Sequence, residues 1–442
     1  MLIRFLHRAF GMDPEARPLP GPQPPERGPF RRDFWCSPLR GPWLASILSS
    51  ALLPLIVLCA VTGFLSHVAY ETEFPGNSVT GGDGLLAPVY SLLDWPAGWA
   101  WLYALNQGLH VVSGLAAIPI LLAKLWTVIP KLWERPALRS LAHAVERLSL
   151  ALLVGASLFV FFTGVFNIQI YYPFGFAFVP AHYYAAFIFL AALTFHVATK
   201  LPDAARAFRE RGVTAPLRDD VEHTEAEPAD SSESVSTAPR PATISRRGFV
   251  GGVAAGSIGL GLVGAGQSIG GPLREIGLLA PRGQTYGSGP NDFQINKTAR
   301  SAGIMPAQTG PDWRLQLRGP RPVSLSRDDL LALPQSTQRL PISCVEGWST
   351  TQDWTGVPLR DLGSLAEVDE PFVLFVKSIQ DAVLGQTWLN EAQAADPRSL
   401  LALRVNGADL SLDHGYPARI IVPALPGVHN TKWVDWLEFR AA

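Results

Sequence analysis

Cysteine is nearly absent. The 442 residues contain three, Cys36, Cys59 and Cys344, in three different regions, which excludes a disulfide framework whatever the compartment. Charge is also scarce: Asp, Glu, Lys and Arg make up 17% against 48% hydrophobic residues, with mean hydropathy +0.17. A membrane portion is therefore expected. No basic domain stands out, and a net charge of −1 with pI near 6.8 argues against a nucleic-acid partner. Lys and Arg are missing altogether from two connections between apolar runs, 70–98 and 171–180, and that absence sets an orientation.

The first half of the chain is rich in uninterrupted apolar length. Residues 1–42 mix Arg4, Arg8, Arg17, Arg27, Arg31, Arg32 and Arg40 with a Pro/Gly tract and read as a flexible basic cytoplasmic arm. From Trp43 to Ser66 the chain carries no charge and is long enough to span a bilayer, with Pro54 expected to kink it. This run is too long, and too far from the terminus, for a cleaved signal peptide. Further spans centre on Leu109 to Leu125, Leu148 to Ile168 and Ala181 to Thr199, which gives a four-helix domain over 43–211. Trp95, Trp99, Trp101 and Tyr103 suit an interfacial aromatic belt before the second span. Lys124, Lys131, Arg135, Arg139 and Arg147 join the second span to the third, and Lys200, Arg206, Arg209 and Arg211 follow the fourth. By the positive-inside rule both ends of the bundle face the cytoplasm.

Histidines inside such spans are costly and point to function. His110 lies in the second span; His182 and His196 lie toward opposite ends of the fourth. Fourteen helical residues rise about 21 Å and fall about 40° short of four turns, so His182 and His196 share a face at different depths. This spacing suits two haems stacked across a bundle. His110 and His182 pair at the outer side, whereas His196 has no clean inner partner: His143 precedes the third span, and His67 sits at the outer end of the first. One or two haems therefore remain open, with His67 as a further candidate ligand. Over roughly residues 40–210 the chain resembles the membrane cytochrome b subunits of bacterial oxidoreductases.

Residues 212–243, acidic from Asp219 to Glu227 and then rich in Ser, Thr and Pro, are expected to form a disordered linker. Ser245-Arg-Arg-Gly-Phe249 follows, then an uncharged glycine-rich run; the motif resembles the twin-arginine export signal, placed internally. A fifth span over 244–275 would put residues 276–442 outside. Its glycines would allow close packing on the other spans.

Cys344 has no local cysteine partner, so its thiol is buried, reactive or a metal ligand. It stands where the apolar Leu340 to Ile342 gives way to Glu346-Gly-Trp-Ser, a strand running into a turn. Further strands are expected at Trp313 to Leu317, Phe372 to Ile379 and Ala418 to Val422, and short helices at Arg327 to Leu333, Pro358 to Leu365 and Leu389 to Asp396. Ser343-Cys-Val-Glu-Gly-Trp-Ser349, Trp354-Thr-Gly-Val-Pro-Leu-Arg-Asp361, His414-Gly-Tyr-Pro-Ala-Arg419 and Gly427-Val-His-Asn-Thr-Lys432 resemble, over about 281–442, the molybdopterin-binding domain of the sulfite oxidase family. That family includes the catalytic subunit of periplasmic methionine sulfoxide reductases.

The resemblance implies an all-α transmembrane bundle of four helices plus a fifth anchor, followed by an α+β molybdopterin-binding domain. It gives Cys344 the role of molybdenum ligand. Asn296, His414, Arg419 and Lys432 match cofactor-contacting motifs, and Asn291 and Trp348 are candidates for the substrate-pocket rim. Animal and plant sulfite oxidases follow the cysteine with Gly-Asn-Arg-Arg, which suits an oxyanion; here Gly347-Trp-Ser favours a neutral S-oxide or N-oxide. The implied protein is a molybdenum enzyme of a bacterial cell membrane, exchanging electrons with quinone or quinol through b-type haem and using the twin-arginine machinery and the lipid bilayer. A sulfite-type dehydrogenase running in the opposite direction, a cytochrome conduit with a metal-free docking domain, and a non-redox scaffold stay open.

Overall fold

A computed structural model describes residues 28–30, 34–71, 95–133, 141–228, 238–281, 286–368 and 371–441. Most of the basic arm, the 72–94 connection and residues 229–237 of the expected linker lie outside the described residues. Five described helices are long and apolar enough to cross a membrane: α1 (Pro42–Glu71), α2 (Leu102–Val128), α3 (Leu141–Ile168), α4 (Phe178–Arg211) and α5 (Arg246–Ile269). A helix satisfies its backbone hydrogen bonds internally, so an uncharged run of this length is stable in hydrocarbon without help from its neighbours. The side chain of His143, in the first turn of α3, is outside the described residues.

The chain forms two compact units. The first comprises Met1–Leu58, Ser113–Asn167 and Tyr172–Gly261. Its apolar clusters are built around Trp43, Leu44 and Ile120, and around Ile56, Ala117, Val160 and Phe189. α5 approaches α2 closely, as its small residues lead one to expect. Ser257 Oγ donates to the Ala116 carbonyl, and a Cβ on Gly256 would lie 3.6 Å from Pro119.

Residues 212–228 correct the expectation of a disordered linker. Glu227 is buried, and its carboxylate accepts from the Trp43 amide at 3.1 and 3.2 Å. That amide belongs to the first turn of α1, where unpaired N–H groups and the helix dipole favour an anion. A Cβ on Gly41 would strike the Glu227 side chain. Arg246 is wholly buried: Nη2 donates to the carbonyls of Pro38 at 3.1 Å and Glu225 at 2.5 Å, and Nη1 lies 4.0 Å from Asp219. Local polarity suggests a solvated run, but these acidic residues have a cation and a helix terminus to meet that are distant in sequence.

The second unit comprises Cys59–Val112, Ile168–Tyr171 and Leu262–Ala442. It holds β1 (Arg314–Arg318), β2 (Val323–Ser326), β3 (Ser336–Ser343), β4 (Ser349–Pro358), β5 (Phe372–Ser378), β6 (Gln386–Leu389), β7 (Leu400–Val405), β8 (Ala408–Asp409), β9 (Arg419–Ile421) and β10 (Val434–Ala441). Short helices are α6 (Arg327–Ala332), α7 (Leu359–Leu365) and α8 (Glu391–Ala395). One sheet runs β2-β1-β10-β5-β6; the other runs β3-β4-β7-β8, with β9 on β7. β1 and β10 pair in parallel, and the other ladders are antiparallel.

The expected strands and short helices appear within one to three residues of their anticipated ends. β4, which sequence reasoning missed, reads Ser-Thr-Thr-Gln-Asp-Trp and lacks an apolar alternation. Pairing with both β3 and β7 makes it a strand. The main core packs Leu315, Leu317, Val357, Leu374, Val376, Leu401, Ile420 and Leu437, all at most 1% exposed, with Trp95 and Tyr103 joined to it.

Candidate active site

β3 and β4 are joined by the turn that carries Cys344. The Cys344 amide donates to the Trp348 carbonyl at 2.9 Å, and the Gly347 amide donates to the Cys344 carbonyl at 2.9 Å. Gly347 has φ +82°, a conformation that glycine adopts without steric cost. Ser349 Oγ donates to Ser343 Oγ at 2.8 Å, and the Gly427 amide donates to the Ser343 carbonyl at 2.7 Å, so the last residue before Cys344 is held from two sides. The sulfur thus stands at a rigid strand end. Trp348 Nε1 donates to Glu346 Oε2 at 2.9 Å, which fixes the indole beside it.

Cys344 opens into a cleft lined also by Phe293, Gln294, Asn296, Ile342, Trp348, Thr350, His414, Arg419, Gly427 and Lys432. The structure therefore gathers Cys344, Asn296, His414, Arg419, Lys432 and Trp348 around one cavity. Asn291 is not among the lining residues. Its Oδ1 accepts from the Ser411 amide at 2.7 Å and its Nδ2 donates to the Asp409 carbonyl at 2.9 Å, so its side chain is spent on backbone away from the rim. What Asn291 does supply is its carbonyl, which accepts from His414 Nε2 at 2.9 Å.

His414 closes a 3₁₀ turn, Leu412–His414, and its ring stacks on Phe293 at 3.7 Å and 18°. Burial, with Arg419 and Lys432 nearby, pushes its pKa down to about 3, so the ring is neutral at physiological pH. Arg419, on β9, donates through Nη1 to the His414 carbonyl and through Nη2 to the Asn430 carbonyl, each at 3.0 Å. Burial pulls this guanidinium down to about 9. Lys432 Nζ donates to the carbonyls of Lys297 at 2.9 Å and Asp413 at 2.7 Å. Gly415 makes this crowding workable, because a Cβ there would sit 3.1 Å from the Cβ atoms of both Arg419 and Lys432.

Sequence reasoning missed Phe293, Gln294, Ile342 and Thr350. The apolar pair carries no chemical signal of its own, and the polar pair is ordinary strand and loop composition. Two buried polar atoms of the lining, Arg419 Nε and Gln294 Oε1, have no hydrogen-bond partner among the described residues. One is a donor and one an acceptor, which is what a heterocycle with an anionic tail would satisfy. Among the described residues no group of three or more His, Cys, Asp and Glu side chains could hold a metal unaided. A metal at Cys344 would take its other ligands from such a cofactor. The residues fit the group.

The family of the oxidoreductase molybdopterin binding domain matches residues 302–442. The protein-methionine-sulfoxide reductase catalytic subunit MsrP of Gluconobacter oxydans is 31% identical over 223 residues, 45% of this chain and 70% of that protein. The chain belongs to the molybdopterin-binding oxidoreductase family. Two further relatives are similar to parts of this oxidoreductase. The uncharacterized oxidoreductase YuiH of Bacillus subtilis is 32% identical over 130 residues, 29% of this chain and 65% of that protein. The putative protein-methionine-sulfoxide reductase subunit YedZ1 of Azospira oryzae is 36% identical over 114 residues, 25% of this chain and 41% of that protein. The chain thus spans less than two thirds of the length of either of these two.

The helical histidines of this molybdopterin-binding oxidoreductase have defined anchors. His110 Nδ1 donates to the Cys59 carbonyl at 2.8 Å, and a Cβ on Gly63 would lie 2.9 Å from its Cε1. His182 Nδ1 lies 3.0 Å from Thr163 Oγ1, and a Cβ on Gly164 would lie 3.3 Å from its Cε1. Each imidazole is thus held through Nδ1 by a neighbouring helix and faces a glycine. A ring anchored through Nδ1 presents Nε2 in the orientation a metal ligand needs, which is compatible with a haem. His196 lies fourteen residues beyond His182 on α4, and His67 is buried near the end of α1.

Proposed function

We propose that this chain is a membrane-anchored, molybdenum-dependent reductase of a neutral S-oxide or N-oxide, with its pocket outside the cytoplasm and electrons drawn from quinol through b-type haem. The observation that carries this reading is the cleft around Cys344, where one buried thiol, two cations, a neutral imidazole and unsatisfied buried polar atoms converge. The names of the relatives from Gluconobacter and Azospira point to a methionine sulfoxide as the substrate type.

Cys344 would hold the metal. Arg419 Nε would receive the anionic tail of the cofactor, and Gln294 with Asn296 its polar ring edge. When bound, the group supplies two-electron chemistry coupled to oxygen-atom transfer. The protein's part is shape and exclusion. Phe293, Ile342 and Trp348 give the cleft apolar walls that favour an uncharged substrate, and His414, kept neutral, adds no charge to repel the cofactor or attract an anion. The half-buried, Nδ1-anchored imidazoles His110 and His182 would carry haem iron, and the five apolar helices support membrane anchoring. The Ser245-Arg-Arg motif at the start of α5 supports export by the twin-arginine machinery, which moves folded, cofactor-loaded domains.

A sulfite-type dehydrogenase would need free cationic donors for an oxyanion. Here both Nη groups of Arg419 are spent on carbonyls, and Lys432 Nζ also donates to two. The deciding experiment is metal analysis with a reduced-minus-oxidised spectrum on the full chain purified in detergent, followed by S-oxide reduction with a quinol donor. About one molybdenum per chain, b-type haem bands and quinol-driven turnover are expected. Haem without molybdenum would leave a cytochrome with a docking domain. Neither cofactor would leave a scaffold.

A further inference from the structure

The turn that carries Cys344 presents two carbonyls away from its own sheet, and within the second unit side chains from the long helices take both. Gln107 Nε2, on α2, donates to the Val345 carbonyl at 3.4 Å, and Ser268 Oγ, on α5, donates to the Gly347 carbonyl at 2.9 Å. Gln107 has no freedom to turn its amide over. Ser66 Oγ donates to its Oε1 at 2.9 Å, and the same hydroxyl lies 3.1 Å from the Tyr103 hydroxyl. With the oxygen so engaged, the NH₂ group faces the turn. Gln107 is 6% exposed and Tyr103 1%, so the arrangement is dry and a lost partner would not be replaced by solvent.

The approach is close as well as bonded. A Cβ on Gly347 would lie 3.0 Å from Val111 Cγ2 and 3.0 Å from Ile168 Cγ2. Val111 follows His110 directly in the chain. Gly347 in turn donates its amide to the carbonyl of Cys344. From the backbone of His110 to the sulfur of Cys344 there is thus one through-space step, between Val111 and Gly347; everything else is covalent or hydrogen-bonded. Other contacts secure the same face. Trp95 Nε1 donates to the Ala424 carbonyl at 2.6 Å, and Arg398 Nη2 donates to the Gly98 carbonyl at 3.0 Å.

We infer that Gln107 and Val111 are positioning residues that seat the Cys344 turn on α2, making His110, Val111, Gly347 and Cys344 an electron route within a single chain. This rests on the proposed reading that haem iron is held at His110 and molybdenum at Cys344. Reduction of one S-oxide to a thioether and water takes two electrons and two protons. Oxidation of one quinol to quinone releases the same number. The route is therefore crossed twice per turnover, by one electron each time, and no diffusing carrier is required between the helices and the pocket.

The test uses Gln107→Leu and Val111→Ala in the full chain, purified with both cofactors. Three quantities are read: reoxidation of pre-reduced haem by an S-oxide, S-oxide reduction driven by a reduced viologen that reaches the pocket from solvent, and amide hydrogen exchange at residues 345–347. Haem reoxidation is expected to slow by about an order of magnitude while viologen-driven turnover and the haem spectrum stay unchanged. In Gln107→Leu the exchange at 345–347 should also rise, a change that needs no cofactor to be seen. Wild-type rates of haem reoxidation in both variants would overturn the route. So would an equal fall in the viologen-driven rate, which would mean that the substitutions damage the pocket itself. Wild-type protein without haem or molybdenum would instead overturn the underlying reading, and the route with it.

Discussion

Nη1 of Arg419 donates to the carbonyl of His414 at 3.0 Å, so the two ends of one sequence motif form one assembly at the back of the cleft. Among the described residues no carboxylate pairs with this cation, and burial alone brings it down to about 9. A bound anion would relieve that cost. Arg419→Gln is therefore expected to reduce molybdenum content at least roughly tenfold, while the lost hydrogen bonds and the relieved desolvation partly offset each other in stability. Metal content and the unfolding midpoint, measured on the same preparation, check both halves.

Cys344→Ser keeps the shape of a small buried side chain and removes the thiolate. S-oxide reduction should fall by about a hundredfold or more, with stability changed by only about 1 kcal/mol. Activity alongside a denaturant titration separates the chemical loss from a folding defect.

Stability should fall in mild acid. Burial lowers His429 to about 4 and His414 to about 3, so both are neutral when folded, whereas an unfolded imidazole titrates near 6.5. Below about pH 6.5 the unfolded chain binds protons that the folded chain refuses, and that favours unfolding. The contribution of His429, fully present above that pH, is lost as pH drops toward 4 and amounts to about 2 kcal/mol by pH 5. The unfolding midpoint measured between pH 7 and 5 should flatten in His429→Gln.

The two arginines of the export motif should behave differently. Arg246 is buried among the Pro38 and Glu225 carbonyls and near Asp219, whereas Arg247 is exposed. Arg246→Ala should destabilise the segment around 212–228 by about 3–5 kcal/mol and open it to protease, and Arg247→Ala should not. If the motif directs twin-arginine export, Lys at either position should also keep the second unit's sheet domain from reaching the outside, as read by protease protection of intact cells.

If His110 and His182 hold b-type haem as proposed, their removal should be visible without any turnover. His110→Ala and His182→Ala are then each expected to abolish b-type absorption bands. His196→Ala should leave those bands intact unless a second haem is present.

Several features follow from the chain's local chemistry. An uncharged run such as Trp43 to Ser66 suits a helix, because a helix pairs its own backbone even where no water can reach it, and composition is enough to reveal that. Cys344 at a strand end, and Arg419, His414 and Lys432 in polar motifs, stand out because their chemistry differs from that of the apolar residues around them. Other features depended on meetings that no local pattern encodes. Asn291 and Asn296 look alike as candidates, yet only Asn296 lines the cleft, because Asn291 is used to tie Ser411 and Asp409. Glu227 and Arg246 look like solvated charges until the start of α1 and the Pro38 carbonyl are brought to them. Gln107 gains its meaning from Val345, 238 positions away, and Trp95 from Ala424, 329 positions away. A buried donor must find an acceptor somewhere, but which one it finds depends on the path of the whole chain, and only the tertiary structure decides that.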